Sequence, residues 1–257
     1  MKFYTNVQLI GNQFLVRGVE NGRRYEHRDE FFPTLFVKSK KNLKTKYKTL
    51  SGEKVEAIHP GTVRECRDFY KKYEDIENFE IYGNDRYIYQ YISEKYPEDE
   101  VKFDISKIKL VTLDIETTSE QGFPDVQSCV EEILAITIQD YTTKQIITWG
   151  SKPFDNKQKN VTYHHCPTEY ELLTSFINYW MQDVPDVITG WNIQLFDIPY
   201  ICRRLDRVLG EKLMKRFSPW GLVSEGEVHI MGRTHITFDV GGVTQLDYLD
   251  LYKKFTY

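Results

Sequence analysis

The sequence predicts a two-domain α/β (α+β) protein, with a β-rich domain over residues 1–104 followed by an α/β domain over residues 105–257. Three observations predict it. A chain of 257 residues fits about two domains at ~100–200 residues each. Short apolar runs separated by tight-turn signals fill the head, whereas strand-like runs alternate with helix-period segments in the body. The charge also divides: residues 1–60 hold 12 Lys and Arg against 6 Asp and Glu, and the remainder holds 22 against 32.

The head begins with Phe3–Leu9 and Phe14–Val19, two strands joined around Gly11-Asn12. Asn21-Gly22 marks a second hairpin, of the type I′ turn that matches strand twist. Six lysines follow within the eleven residues from Lys38 to Lys48. Lys40, Lys41, Lys44, Lys46 and Lys48 are candidates for non-specific phosphate contacts, with a solvated loop as the plain alternative. Val63–Tyr73 and Asp85–Tyr96 have helical spacing, and the polar Pro97-Glu98-Asp99-Glu100 stretch suits a boundary.

In the body, Ile108–Ile115 reads as a central strand covered on both faces. Ile133–Ile138 and Gln145–Trp149 read as an antiparallel pair around Tyr141-Thr142-Thr143. Thr168 and Glu171 form a T-x-x-E capping pattern ahead of a helix carrying Leu173, Phe176, Ile177 and Trp180. Val187-Ile188-Thr189 is a short strand, and a helix from about Ile198 to Leu209 stops at Gly210. Val228–Ile230 and His235–Phe238 flank a Met231-Gly232-Arg233 turn, and Gly241-Gly242 marks another.

Composition excludes several classes. Hydrophobic residues at 40% and aromatics at 14% rule out a disordered or collagen-like chain. No apolar run is long enough to span a membrane, and the N-terminus shows no signal-peptide h-region. The four cysteines lie far apart without a CxxC, as reduced thiols would. His164-His165-Cys166 cannot all face one ion in a strand, and His229 and His235 make a weak pair across a turn. Nothing matches a Walker, HExxH, GxSxG or GxGxxG pattern.

The carboxylates are more informative. Asp114 and Glu116 stand two apart on a strand and so share a face. Adjacent carboxylates repel unless a cation lies between them, and hard oxygen ligands suit Mg²⁺ or Mn²⁺. The same tripeptide at Asp75-Ile76-Glu77 follows a helix and reads as a solvated helix end. Asp197 follows the strand Val187–Thr189 and starts a helix. It suits a helix N-cap, or a third ligand carried beside Asp114 by a parallel neighbouring strand.

Leu113-Asp114-Ile115-Glu116-Thr117-Thr118 resembles the first exonuclease motif of B-family DNA polymerases, and Gly190-Trp191-Asn192-x-x-x-Phe196-Asp197-Ile198-Pro199-Tyr200 resembles the second, N-x-x-x-F/Y-D. The segment Leu246–Phe255 and the Met1-Lys2-Phe3-Tyr4 opening resemble the polymerases of T-even-type bacteriophages. The resemblance implies that 1–104 is the polymerase N-terminal domain and 105–257 a 3′–5′ proofreading exonuclease domain with an RNase H-like mixed sheet. It implies that Asp114, Glu116 and Asp197 are catalytic and hold two divalent cations, Mg²⁺ or Mn²⁺. It implies nucleic-acid contacts from Phe123, Asn192 and Phe196, and from Arg233 on a strand-parting hairpin. Single-stranded DNA and primer 3′ ends are the implied partners, with the downstream polymerase polypeptide and RNA as further candidates, in the cytoplasm of a bacterial host.

The family's third motif, Y-x-x-x-D, finds no match after Asp197, since Tyr25…Asp29 and Tyr179…Asp183 both precede it. The expectation is therefore an N-terminal portion, from a fragment or a split gene, whose exonuclease domain is incomplete at its C-terminus, binds one cation or none, and is weakly active alone. The alternative from another class is a nucleic-acid-binding or regulatory module with an idle nuclease centre.

Overall fold

A computed structural model describes residues 2–39, 44–97, 101–120, 122–230 and 232–256. The chain divides into two compact units, 1–103 and 104–257.

In the first unit, β1 (Lys2–Ile10), β2 (Gln13–Glu20) and β3 (Arg23–Glu30) form an antiparallel meander. The β2–β3 turn has positive φ at both Asn21 and Gly22, as a type I′ turn requires. β4 (Leu35–Lys38) lies between β5 (Val55–Ile58) and β6 (Ile81–Tyr82) in a second small sheet. Helix α1 (Val63–Tyr73) opens with a complete Thr62–Glu65 capping box, and α2 (Tyr87–Lys95) follows. The core gathers Phe14, Val16, Phe31, Leu35, Cys66 and Tyr91, with Phe14 stacked on Tyr91 at 4.7 Å. Lys44, Lys46 and Lys48 are exposed, with the Lys46 ammonium 5.1 Å from the Tyr47 ring centre. Lys40 and Lys41 lie outside the described residues. The Asp75–Glu77 copy is exposed just beyond α1.

The second unit is built on a six-stranded mixed sheet, consistent with an RNase H-like domain. Its strands are β7 (Leu110–Thr117), β8 (Ile133–Asp140), β9 (Ile146–Gly150), β10 (Val161–His165), β11 (Val187–Gly190) and β14 (Thr244–Asp247), in the order β10-β9-β8-β7-β11-β14. β8 runs antiparallel to β7 and β9, while β11 runs parallel to both β7 and β14. Helix α3 (Glu169–Trp180) is capped by Thr168, whose hydroxyl accepts from the Glu171 amide, and it buries Leu172, Leu173, Phe176, Ile177 and Trp180. Helix α4 (Asp197–Leu209) adds Ile198, Ile201, Cys202 and Leu205 to the same core. Each large apolar side chain so buried contributes about 1.5–3 kcal/mol.

This core corrects one expectation. β7 is covered on one face, not two: Val111, Leu113 and Ile115 are buried, while Thr112, Asp114 and Glu116 are exposed. Leu113 and Ile115 alternate with charges that could not be buried unpaired, so the carboxylate face stays open to water.

The short α5 (Glu211–Met214) leads to a long hairpin, β12 (Val223–Ile230) with β13 (Arg233–Val240), and α6 (Tyr248–Phe255) follows β14. The hairpin extends well past the residues that the Gly232 turn signals in sequence, because Val223↔Val240 already pairs. His229 faces Thr234 and His235 faces Val228 in this register. The two histidines therefore point to opposite faces and share no ion. His164 stacks on Trp149 while Cys166 is buried, so the His-His-Cys triplet is dispersed as well. All four cysteines are free and buried. Among the described residues, no helix is long and apolar enough to cross a membrane.

Candidate active site

An open cleft of about 740 Å³ lies over the exposed face of β7. Its floor holds Asp114, Ile115, Asp197 and the turn bearing Asn192 and Phe196. One wall is the loop from Phe123 to Gln127, and the other is Arg233 to Ile236 of β13. Asp114, Phe123, Asn192, Phe196, Asp197 and Arg233 thus border one space, although they come from four separate segments. Glu116 shares the exposed face of β7 with Asp114 but does not line the cleft. Among the described residues, no three His, Cys, Asp or Glu side chains stand close enough together to hold a metal ion.

Asp197 does not cap its helix. Phe196 occupies the N-cap position, and Asp197 is the first helical residue. Its Oδ1 instead accepts from the Ile115 amide of β7, at 3.1 Å. This bond anchors the start of α4 to the strand that carries Asp114. Burial, reinforced by the Asp114 carboxylate, pushes the Asp197 carboxyl up to about 7. The cleft walls withdraw enough water from Asp114 to hold its carboxyl above the usual range as well. Asp114 and the buried Asp197 line the same cleft, and carboxylate oxygens are the hard donors that divalent cations take. Glu116 lies two residues along the same face.

The turn between β11 and α4 is held by Asp247, a residue whose sequence context gives it no role. Its Oδ1 accepts from the amides of Asn192 (3.0 Å) and Leu249 (2.9 Å), and its Oδ2 accepts from Gln194 at 3.1 Å. Asn192 adopts φ +61, a conformation that Asn tolerates better than most residues. The Asn192 carbonyl then accepts from Phe196 at 3.1 Å, which turns the chain into α4. Gly190 is required for close approach, because a Cβ there would lie 2.5 Å from the Leu113 carbonyl oxygen.

Phe123 is 89% exposed, and its ring centre lies 6.0 Å from that of Phe196, which in turn meets Tyr200. The loop behind it is fastened to α4. Arg204 is buried, pairs with Glu169, and donates to the Cys129 carbonyl at 3.0 Å. Tyr200 donates to the Glu131 carbonyl at 2.8 Å. These fasteners leave no short motif in the sequence; their trace is the spacing of Tyr200, Arg203, Arg204 and Arg207 along one helix.

A mixed sheet of this strand order, with carboxylates on the open face of its central strand, is the architecture of an RNase H-like exonuclease. The chain belongs to the B-family DNA polymerases: the family description "DNA polymerase family B, exonuclease domain" matches residues 58–257. The DNA-directed DNA polymerase of Enterobacteria phage T4 is 32% identical over 283 aligned positions, covering 100% of this chain and 31% of the relative. That of Escherichia phage RB69 is 30% identical over 282 positions, with the same coverage. DNA polymerase 037L of Invertebrate iridescent virus 6 is 28% identical over 174 positions, covering 58% of this chain and 13% of the relative. The chain thus spans about a third of the length of the phage relatives. Exonuclease domains of this family generally depend on divalent metal.

Proposed function

We propose that the cleft is the proofreading site of a phage-type B-family DNA polymerase, which shortens a single DNA strand from its 3′ end. The observation that carries this reading is the convergence of Asp114 and the buried Asp197 beneath an exposed phenylalanine. Asp114 and Asp197, with Glu116 swung in from the same strand face, would hold the cations. Bound Mg²⁺ or Mn²⁺, two in a complete site, would supply a hydroxide at neutral pH and stabilise the leaving 3′ oxygen.

The remaining roles fall to the chain itself. The Ile115 amide holds Asp197 Oδ1 and fixes the direction of the carboxyl. Phe123 offers a face on which the terminal base stacks without sequence preference, and Phe196 supports its ring. Asn192 shapes the turn beneath the terminal nucleotide, while Arg233 lies on the opposite wall, suited to a backbone phosphate. Hydrolysis breaks the P–O3′ bond, leaving a 3′ hydroxyl on the strand and releasing a nucleoside 5′-monophosphate.

The test is digestion of a 5′-labelled single-stranded oligonucleotide in Mn²⁺. A ladder receding from the 3′ end, lost in Asp114→Ala, is expected. Binding without shortening would instead identify a nucleic-acid-binding module with an idle centre.

A further inference from the structure

The two walls of the cleft belong to different segments, yet one side chain touches the supports of both. Arg203, on the second turn of α4, donates from Nη1 to the Gln127 carbonyl at 3.1 Å. Its Nη2 donates to Glu225 Oε2 at 2.9 Å. Gln127 ends the wall that carries Phe123, and Glu225 sits on β12, the strand paired with the β13 wall. Arg207 strengthens the first attachment, donating to the carbonyls of Ser128 (2.8 Å) and Cys129. Cys129 itself holds a left-handed φ of +47, and Asp125 closes the turn by accepting from the Ser128 amide at 2.8 Å. The helix that bears these arginines starts at Asp197, so the carboxylate and both walls are referred to one rigid element.

We propose that Arg203 is a positioning residue that sets the width of the cleft, holding the Phe123 wall and the hairpin wall at the separation that lets a terminal base stack. The inference rests on the exonuclease reading above. Only a guanidinium can do this, because its planar fork presents two donors in fixed divergent directions, whereas a lysine ammonium is a single point. The Arg203–Glu225 pair is partly exposed and adds little to folding. Arg204, in contrast, is buried with Glu169, and its loss would disturb the core.

The experiment uses the full chain and a single-stranded oligonucleotide with a 3′-terminal 2-aminopurine and a phosphorothioate terminal linkage, in Mn²⁺. Affinity and 2-aminopurine fluorescence are read together, and Mn²⁺ affinity is measured separately. Arg203→Ala should weaken 3′-end binding roughly ten-fold, within the range contributed by one base–ring stack, and change the fluorescence. Mn²⁺ affinity should stay within about two-fold. Arg203→Lys should recover little, since charge without the fork cannot reach both walls. In a Phe123→Ala background, Arg203→Ala should cost less than about two-fold more, because the two residues act through the same stack. Unchanged binding in Arg203→Ala, full recovery in Arg203→Lys, or additive losses with Phe123→Ala would each overturn the proposal. A wild-type chain that does not bind the 3′ end in Mn²⁺ would defeat the exonuclease reading itself, and the proposal with it.

Discussion

Replacing Asp197 by Asn should make the metal-free protein more stable at pH 8 while changing it little at pH 4. The Asp197 carboxyl is raised from 3.8 to about 7, by burial first and by Asp114 second. The folded chain therefore holds a proton that the unfolded chain has already released between about pH 4 and pH 7. Stability falls as pH rises through this window, and the loss is complete above the folded value. Three units correspond to about 4 kcal/mol, which is the ceiling for the effect. The Asn oxygen can still accept from the Ile115 amide, and the amide never ionises, so the variant avoids this loss. All four tryptophans, Trp149, Trp180, Trp191 and Trp220, lie in the second unit, so urea unfolding followed by tryptophan fluorescence reports on that unit. In EDTA, the variant's midpoint should exceed the wild-type value at pH 8 by about 1 M, and the gap should narrow through pH 5 and nearly close by pH 4. Mn²⁺ should close the gap by stabilising only the wild type. A variant-minus-wild-type difference that does not change with pH would refute the argument that Asp197 is a buried, unpaired carboxylate.

Other changes test the scaffold around it. Gly190→Ala should destabilise the second unit by about 1–3 kcal/mol by overpacking against the Leu113 carbonyl, and circular dichroism melts would register it. Asp247→Ala leaves three backbone amides without their acceptor and should cost about 2–4 kcal/mol; the same melts would show it, and a loss under about 0.5 kcal/mol would mean water replaces the carboxylate. Exchanging Lys40, Lys41, Lys44, Lys46 and Lys48 for Gln should flatten the salt dependence of DNA binding, by about 0.7–0.9 in slope for each phosphate that a lysine no longer neutralises.

Much of the scaffold was legible because periodicity and caps act locally. Helix α1 occupies Val63–Tyr73 as its spacing predicts, and the Asn21-Gly22 turn has the dihedrals its residues favour. The parallel pairing of β11 with β7, which carries Asp197 toward Asp114, was also readable as a strand–turn–helix sequence. What was hidden depends on distant partners. The open face of β7 could not be distinguished from a covered one by its apolar residues, because coverage is decided by helices far along the chain. The helix Tyr248–Phe255 is set by Asp247, whose carboxylate also binds the Asn192 and Gln194 amides far earlier in the chain. The arginines of α4 were invisible as a clamp because their acceptors are backbone carbonyls, which carry no residue signature.

The central claim is that Asp114 and Asp197 form a divalent-cation site. Titration of the 257-residue chain with Mn²⁺, followed by the loss of the free-ion electron paramagnetic resonance signal at pH 8, tests it most directly. Saturable binding of at least one Mn²⁺ is expected, weakened at least about ten-fold in Asp114→Ala and in Asp197→Ala while the fold is retained. Equal Mn²⁺ affinity in the wild type and both variants would contradict it.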